Sequence, residues 1–179
     1  MPSVITVWDK QFVPAIPARE ISQRIAELAD EMNVELRDKN PLFLAVLNGS
    51  FFFAADLLRE LDFVCEISFV KLASYSGLSS SGTVRELIGL EGAVAGRNVV
   101  VLEDIVDTGK TINQVVRMLK EMEVKSVAVA ALLLKPDALQ EQVELDFIGF
   151  KVPNQFLVGY GLDYNQLGRN YRDIYRLKE

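Results

Sequence analysis

Two runs of this chain, Leu42–Leu47 and Ser126–Leu134, hold almost nothing but apolar side chains, and residues 98–102 follow the same rule. A strand with one wet face alternates apolar and polar residues. A strand apolar on both faces must be covered on both. Residues 51–61 and 112–122 lie after two of these runs and carry helical spacing, with Ile112, Val115, Val116 and Leu119 forming one stripe. Residues 17–32 read as another helix, with Ile21, Ile25, Leu28 and Met32 on one face and Pro17 in its first turn. Covered strands alternating with helices make the class α/β, a doubly wound, mainly parallel sheet flanked by helices.

Length and composition suit that class. The 179 residues, 50% hydrophobic and 25% charged, are enough for one domain with one substantial core. A formal net charge of −6 argues against a long nucleic-acid interface. A single Cys allows no internal disulfide, so a reducing cytoplasm is expected. The first ten residues do not read as a signal peptide, and no apolar run spans a bilayer. The chain has no His, which excludes Ser-His-Asp and Cys-His catalysis and zinc sites built on imidazole. Proton transfer then falls to carboxylates, Lys, Tyr or the substrate. Any metal is expected to be a hard ion on oxygen ligands, with Mg²⁺ first.

The segment Val99-Val-Val-Leu-Glu-Asp-Ile-Val-Asp-Thr-Gly-Lys-Thr111 concentrates the chemistry. It reads as a buried strand, a turn with three carboxylates and a helix start. Thr108, Gly109, Lys110 and Thr111 fall where unpaired helical N–H groups favour an anion. Glu103 and Asp104 place two negative charges at a strand end, suited to a metal or to sugar hydroxyls. A Walker A loop fails, because Asp104 stands where the first Gly belongs. Asp107-Thr108-Gly109 also matches the short aspartic-protease motif, but here it leads into a helix. The remaining reading is a site for a phosphorylated sugar.

The stretch 101–111 resembles the phosphoribosyl pyrophosphate signature of the type I phosphoribosyltransferases. Four further segments resemble the hypoxanthine(-guanine) phosphoribosyltransferases in order: Leu47-Asn-Gly-Ser50 and the helix after it, Ser74-Tyr75, Leu134-Lys-Pro136 with Phe147-Ile-Gly-Phe150, and Val158-Gly-Tyr-Gly-Leu-Asp-Tyr-Asn165 followed by Arg169. The resemblance implies a type I phosphoribosyltransferase fold in one domain, residues 1–179. Its core would span about 18–146, with a small hood from about 1–16 and 147–179. It implies Mg²⁺-dependent transfer of the 5-phosphoribosyl group from phosphoribosyl pyrophosphate to hypoxanthine, and to guanine. The products would be IMP or GMP and pyrophosphate. It also implies a homodimer or homotetramer without nucleic-acid or membrane partners.

Roles follow from the same resemblance. Asp107 would be the catalytic acid or base near purine N7; on residue type alone it could equally cap the helix. Glu103 and Asp104 would meet the ribose hydroxyls, directly or through Mg²⁺, while Thr108, Gly109, Lys110 and Thr111 would hold the 5′-phosphate. Asn48, Gly49, Ser50 and Arg169 would bind pyrophosphate, with the N–H groups of Gly49 and Ser50 as donors and a non-proline cis bond in their loop. Lys135 would donate to purine O6, although a Lys ending an apolar strand ordinarily snorkels. Phe156 would stack on the base and Leu157 would meet its edge. Asp163, grouped with them, would hold a second Mg²⁺. Ser74 and Tyr75 begin a Ser- and Gly-rich stretch, 74–83, that would close over the site. Asn48 departs from the family, where Lys or Arg is common. Two alternatives stay open: a xanthine- or guanine-preferring relative, and a non-catalytic sensor of phosphoribosyl pyrophosphate.

Overall fold

The computed structural model describes residues 3–73, 85–88 and 94–178. In chain order the elements begin with β1 (Ile5–Val7), β2 (Lys10–Ile16), α1 (Ala18–Leu36), β3 (Leu42–Leu47) and α2 (Phe51–Glu60). Then come β4 (Glu66–Ala73), β5 (Arg85–Ile88), β6 (Asn98–Val106), α3 (Lys110–Glu121), β7 (Ser126–Leu134), β8 (Phe147–Lys151), β9 (Leu157–Val158) and β10 (Ile174–Leu177). The main sheet runs β5-β4-β3-β6-β7-β8, parallel except for β5 at one edge. A second sheet, β1-β2-β10-β9, joins the two ends of the chain in antiparallel pairs and forms the hood.

Each face of the main sheet has its own core. Ile21, Ile25, Leu28 and Met32 of α1, with Phe53 and Leu57 of α2, pack on Phe43, Ala45, Val100 and Leu102. On the opposite face Ile112, Val115 and Leu119 of α3 pack on Leu44, Val99, Val101 and Val129. This two-sided covering explains why β3, β6 and β7 carry apolar runs without alternation. Each such Leu or Ile contributes about 1.5–3 kcal/mol by leaving water.

Strand order reverses direction between β3 and β6. From β3 the chain goes outward to β4 on one side, and β6 to β8 extend on the other. In an open parallel sheet, ligands bind beyond the strand ends at such a switch point. Residues 48–50 follow β3 and residues 107–109 follow β6, so both motif loops lie there.

Several boundaries differ from the sequence expectation. Glu103 and Asp104 lie inside β6 rather than in a turn, since β7 continues to pair with β6 through Glu103↔Ala131, Ile105↔Leu133 and Val106↔Leu134. The backbone ladder is indifferent to the charge on the side chains. Helix α3 starts at Lys110, ahead of Ile112, because Gly109 turns the chain with φ 85°. A Cβ on Gly109 would also approach Val143 Cγ2 to 2.6 Å, so this position needs Gly on two counts. Pro17 precedes α1 with extended dihedrals instead of lying in its first turn, and its carbonyl accepts from the Glu20 N–H at 2.9 Å. The hood begins later than residue 147. Phe147–Lys151 is β8, hydrogen-bonded parallel to β7 in the main sheet. No helix among the described residues is long and apolar enough to cross a membrane.

Candidate active site

The Val106↔Leu134 pairing brings the next residue of each strand, Asp107 and Lys135, to the same edge of the sheet. There Lys135 Nζ donates to Asp107 Oδ2 at 2.8 Å. The Lys135 side chain is only 9% exposed and that of Asp107 46%. Lys135 therefore does not snorkel to the surface; its ammonium is buried and paired. Asp107 does not cap α3 either. The residue ahead of that helix is Gly109, with no side-chain cap.

Beside this pair lies a small open pocket of about 70 Å³, lined by Glu103, Asp107, Thr108, Gly109 and Thr111 among others. The first-turn amides of α3 have no partners within the helix and supply positive potential there. The turn is braced from behind, with the Thr108 carbonyl accepting from the N–H groups of Gln140 at 3.1 Å and Glu141 at 3.3 Å. Asn113 of α3 donates to Glu141 Oε2 at 2.9 Å and to the Gln142 carbonyl at 3.1 Å. This geometry suits a phosphate held by backbone donors.

Of the two acidic residues of β6, Glu103 is buried and Asp104 is half-buried. Glu103 Oε2 has no hydrogen-bond partner among the described residues. Burial, and then the charge of Asp104, push the Glu103 carboxyl well above the usual carboxylate range. Burial likewise raises Asp104 to about 6. The Ile105 N–H and the Arg169 guanidinium oppose that rise, and Asp163 adds to it. A buried, orphaned carboxylate oxygen next to a second carboxylate is a donor set for a hard cation or for hydroxyl groups. Among the described residues no cluster of three or more metal-ligating side chains forms. That is compatible with Mg²⁺, which commonly takes one or two carboxylates and completes its shell with water and substrate phosphates. The residues present fit such an ion.

On the other side of Asp104 is the loop after β3. The Leu47–Asn48 peptide bond is cis. Gly49 packs directly on Asp104, and a Cβ there would collide with its carboxylate. Ser50 is fully buried; its Oγ donates to the Val46 carbonyl at 2.6 Å and its N–H points to the same oxygen at 3.4 Å. Ser50 thus braces the loop internally through its side chain.

The hood meets this loop through Gly161. Its φ is 98°, and a Cβ would collide with the Gly49 carbonyl oxygen. Arg169 Nη1 donates to the Gly161 carbonyl at 2.7 Å, and Arg169 Nη2 pairs with Asp163 Oδ1 at 2.7 Å. Asp104, Gly49, Gly161, Arg169 and Asp163 thereby form one connected group. Tyr160 fastens the same turn to α2 by donating to Asp56 Oδ2 at 2.6 Å. Sequence alone assigns Gly161 and Tyr160 no role; the Gly-Tyr-Gly spacing was the available signal.

Phe156 and Leu157 are placed in the hood. Leu157 is buried and pairs with Arg176 of β10. Phe156 is 46% exposed and so is not a core residue. Ser74 and Tyr75 lie outside the described residues.

Comparison with known proteins agrees with this geometry. The family model for the phosphoribosyl transferase domain matches residues 16–165. The hypoxanthine-guanine phosphoribosyltransferase of Bacillus subtilis is 38% identical over 164 residues, 91% of each chain. The bifunctional protein TilS/HprT of Listeria monocytogenes is 42% identical over 160 residues, 89% of this chain; the chain spans 25% of that longer protein. The crystal structure of a hypoxanthine phosphoribosyltransferase from Staphylococcus aureus superposes with a TM-score of 0.87 at 31% identity, covering 93% of this chain and 91% of the other. On sequence and fold together, the chain belongs to the hypoxanthine(-guanine) phosphoribosyltransferases of the type I phosphoribosyltransferase family.

Proposed function

We propose that this protein transfers the 5-phosphoribosyl group of phosphoribosyl pyrophosphate to hypoxanthine, and to guanine, forming IMP or GMP and pyrophosphate in purine salvage. The observation that carries the reading is the Lys135–Asp107 pair at 2.8 Å. In a 6-oxopurine, O6 and N7 share one edge of the base. An ammonium and a carboxylate side by side match that edge. Lys135 would donate to O6. Asp107 would take the N7 proton as N9 bonds to the anomeric carbon and the bond to pyrophosphate breaks. Adenine carries an amino donor at position 6, so it would leave the buried Lys135 ammonium facing another donor.

The donor would lie along the switch point. The first turn of α3, with Thr108 to Thr111, would hold the 5′-phosphate. Glu103 and Asp104 would accept from the ribose hydroxyls, while Gly49 and Arg169 would bind the pyrophosphate beside Asn48. Mg²⁺ held by Glu103 and Asp104, and by Asp163 on the pyrophosphate side, would supply charge neutralisation for the leaving group. Phe156 would stack on the base and Leu157 would contact its edge through backbone groups. The bond-breaking step resembles glycoside cleavage, with positive charge developing on the ribose. Buried carboxylates next to that charge would stabilise it. The reading includes a single phosphoribosyltransferase domain, a cytoplasmic setting, and assembly as a homodimer or homotetramer, which light scattering tests.

The deciding experiment is pyrophosphate release by the purified protein with phosphoribosyl pyrophosphate and Mg²⁺, in the presence of hypoxanthine, guanine, xanthine or adenine. Release is expected with hypoxanthine and guanine, and is lost with chelator. No release with any base, despite saturable binding of the sugar substrate, would replace the enzyme by a sensor of that substrate.

A further inference from the structure

We propose that Tyr164, gripped by the turn between β1 and β2, is a positioning residue that fixes the ring of Phe156 for the purine base. The proposal rests on the stacking role given to Phe156 above. Phe156 keeps enough exposed surface to offer a face to a ligand. Two rings touch it: Tyr164 edge-on, with centroids 5.6 Å apart and planes at 83°, and Phe12 at 6.3 Å and 45°. Phe12 is wholly buried and touches Tyr164 as well, at 6.2 Å. The stacking ring is therefore backed by one core ring and one half-buried ring.

Tyr164 is held by three consecutive residues of the hairpin, two in its turn and one at the start of β2, each by a different interaction. Trp8 packs its ring at 5.7 Å. Asp9 Oδ1 accepts the Tyr164 hydroxyl at 2.9 Å. Lys10 Nζ stands 5.1 Å from the ring centroid. Tyr164 itself packs against the hood core of Val7, Phe12, Val158 and Tyr175, but the contacts from Trp8, Asp9 and Lys10 reach it from outside that core. Trp8 is 62% exposed, and its φ of 53° is a conformation that bulky residues rarely adopt. A large ring kept near solvent on such a backbone has Tyr164 as its aromatic partner. What the turn gains is a Tyr164 ring with its torsions and its hydroxyl both fixed. Phe156 then meets the base already oriented, and less rotamer freedom is lost on binding.

Tyr164 also follows Asp163 directly, so the brace joins the base side of the site to the Asp163–Arg169 pair. Its effect is nevertheless expected on the base, because Phe156, the ring assigned to the base, packs edge-on against it.

The test is the KM for hypoxanthine at saturating phosphoribosyl pyrophosphate, measured alongside the KM for phosphoribosyl pyrophosphate at saturating hypoxanthine. Phe156→Leu examines stacking by itself. Tyr164→Leu removes the brace, Tyr164→Phe keeps the ring, and Trp8→Ala removes an exposed contact to it. Phe156→Leu and Tyr164→Leu are expected to raise the hypoxanthine KM on the order of tenfold, with the other KM within about twofold. Trp8→Ala is expected to raise it about threefold, and Tyr164→Phe to recover most of the loss. A base KM raised by Phe156→Leu but untouched by Tyr164→Leu and Trp8→Ala overturns the positioning role and leaves stacking intact. A base KM untouched by Phe156→Leu overturns stacking, and the brace with it. Equal rises in both KM values would mark a merely structural Tyr164 and overturn the proposal. If Tyr164→Leu does not fold, the surface variant Trp8→Ala decides.

Discussion

Lys135 and Asp107 meet at 2.8 Å because each is the first residue beyond its strand, and β6 and β7 run in register to their last pair, Val106↔Leu134. The Lys135 N–H also donates to the Val106 carbonyl at 2.9 Å, fixing the two strand ends together. The position of the pair is therefore a property of the sheet, not of a loop. Asp107→Asn keeps an acceptor for Lys135 and loses the proton-handling group. Its kcat is expected to fall about 10²- to 10⁴-fold, with Tm nearly unchanged. A kcat within a factor of three of the parent would remove Asp107 from the chemistry.

Lys135→Met keeps the length and apolar stem of the side chain and deletes its donor. Binding of 6-oxopurines is expected to weaken by about 1–3 kcal/mol, seen as a raised KM for hypoxanthine. Discrimination against adenine should narrow by the same mechanism, because no ammonium remains to oppose its amino group. Competition assays with the two bases measure this. Unaltered base preference would show that selectivity lies elsewhere in the hood.

Much of this was readable from residue order. Leu42–Leu47 and Ser126–Leu134 announce buried strands because nothing polar interrupts them. The types of Asp107, Gly109 and Lys135 point to chemistry even before their places are known. What stayed hidden depends on register and on contacts between distant segments. Glu103 and Asp104 look like the end of a strand, yet pairing with β7 carries β6 past them to Val106. Lys135 looks like a surface lysine until that pairing buries it. Phe147–Lys151 lacks a clear helical pattern ahead of it, so its parallel pairing with β7 is not apparent locally. The packing of Gly161 on Gly49 joins the hood to the loop after β3, and no local pattern encodes it.

The burial of Asp104 has a consequence for pH. Its carboxyl is raised from 3.8 to about 6, mainly by desolvation. The folded state then binds more protons than the unfolded chain between those values, so this contribution to stability is full below about pH 4 and is lost as pH rises through about 6. Glu103, raised by burial and by Asp104, acts in the same direction. Asp104→Asn, which cannot ionise, is expected to raise the Tm of the ligand-free protein by several degrees at pH 8 and to leave it unchanged near pH 4. Thermal melts in chelator at the two pH values check the sign. In the active protein the carboxylate is the useful form, so the KM for phosphoribosyl pyrophosphate should rise below pH 6.

Gly161 has no room for a side chain. Its φ of 98° and the Gly49 carbonyl beside it act together, and Gly49 in turn rests on Asp104. Gly161→Val must push the loop after β3 away from the hood or distort the turn that Arg169 grips. We expect a loss of about 1–3 kcal/mol in stability from the backbone alone. On top of that, the KM for phosphoribosyl pyrophosphate should rise more than the KM for hypoxanthine. Urea melts and paired KM measurements separate the two effects. Equal rises in both KM values would mean that the contact holds the fold and not the loop.

Asn48 follows the cis bond at the end of β3 and adjoins Gly49, within the loop assigned to pyrophosphate. This chain, with a net charge of −6, has a neutral amide at the position where the family resemblance leads one to expect a cation. Restoring the charge with Asn48→Lys should tighten pyrophosphate. At an effective dielectric near that of a protein surface, one added charge a few ångströms from an anion is worth on the order of 1 kcal/mol after solvent screening. That corresponds to roughly a fivefold lower KM for pyrophosphate in the reverse reaction. Raised salt should erase the gain, since the effect is a charge effect in a solvated loop. Product inhibition by pyrophosphate should strengthen in parallel, while kcat in the forward direction stays within about twofold or falls slightly as release slows. Unchanged pyrophosphate affinity at low salt would place the side chain of residue 48 away from the leaving group.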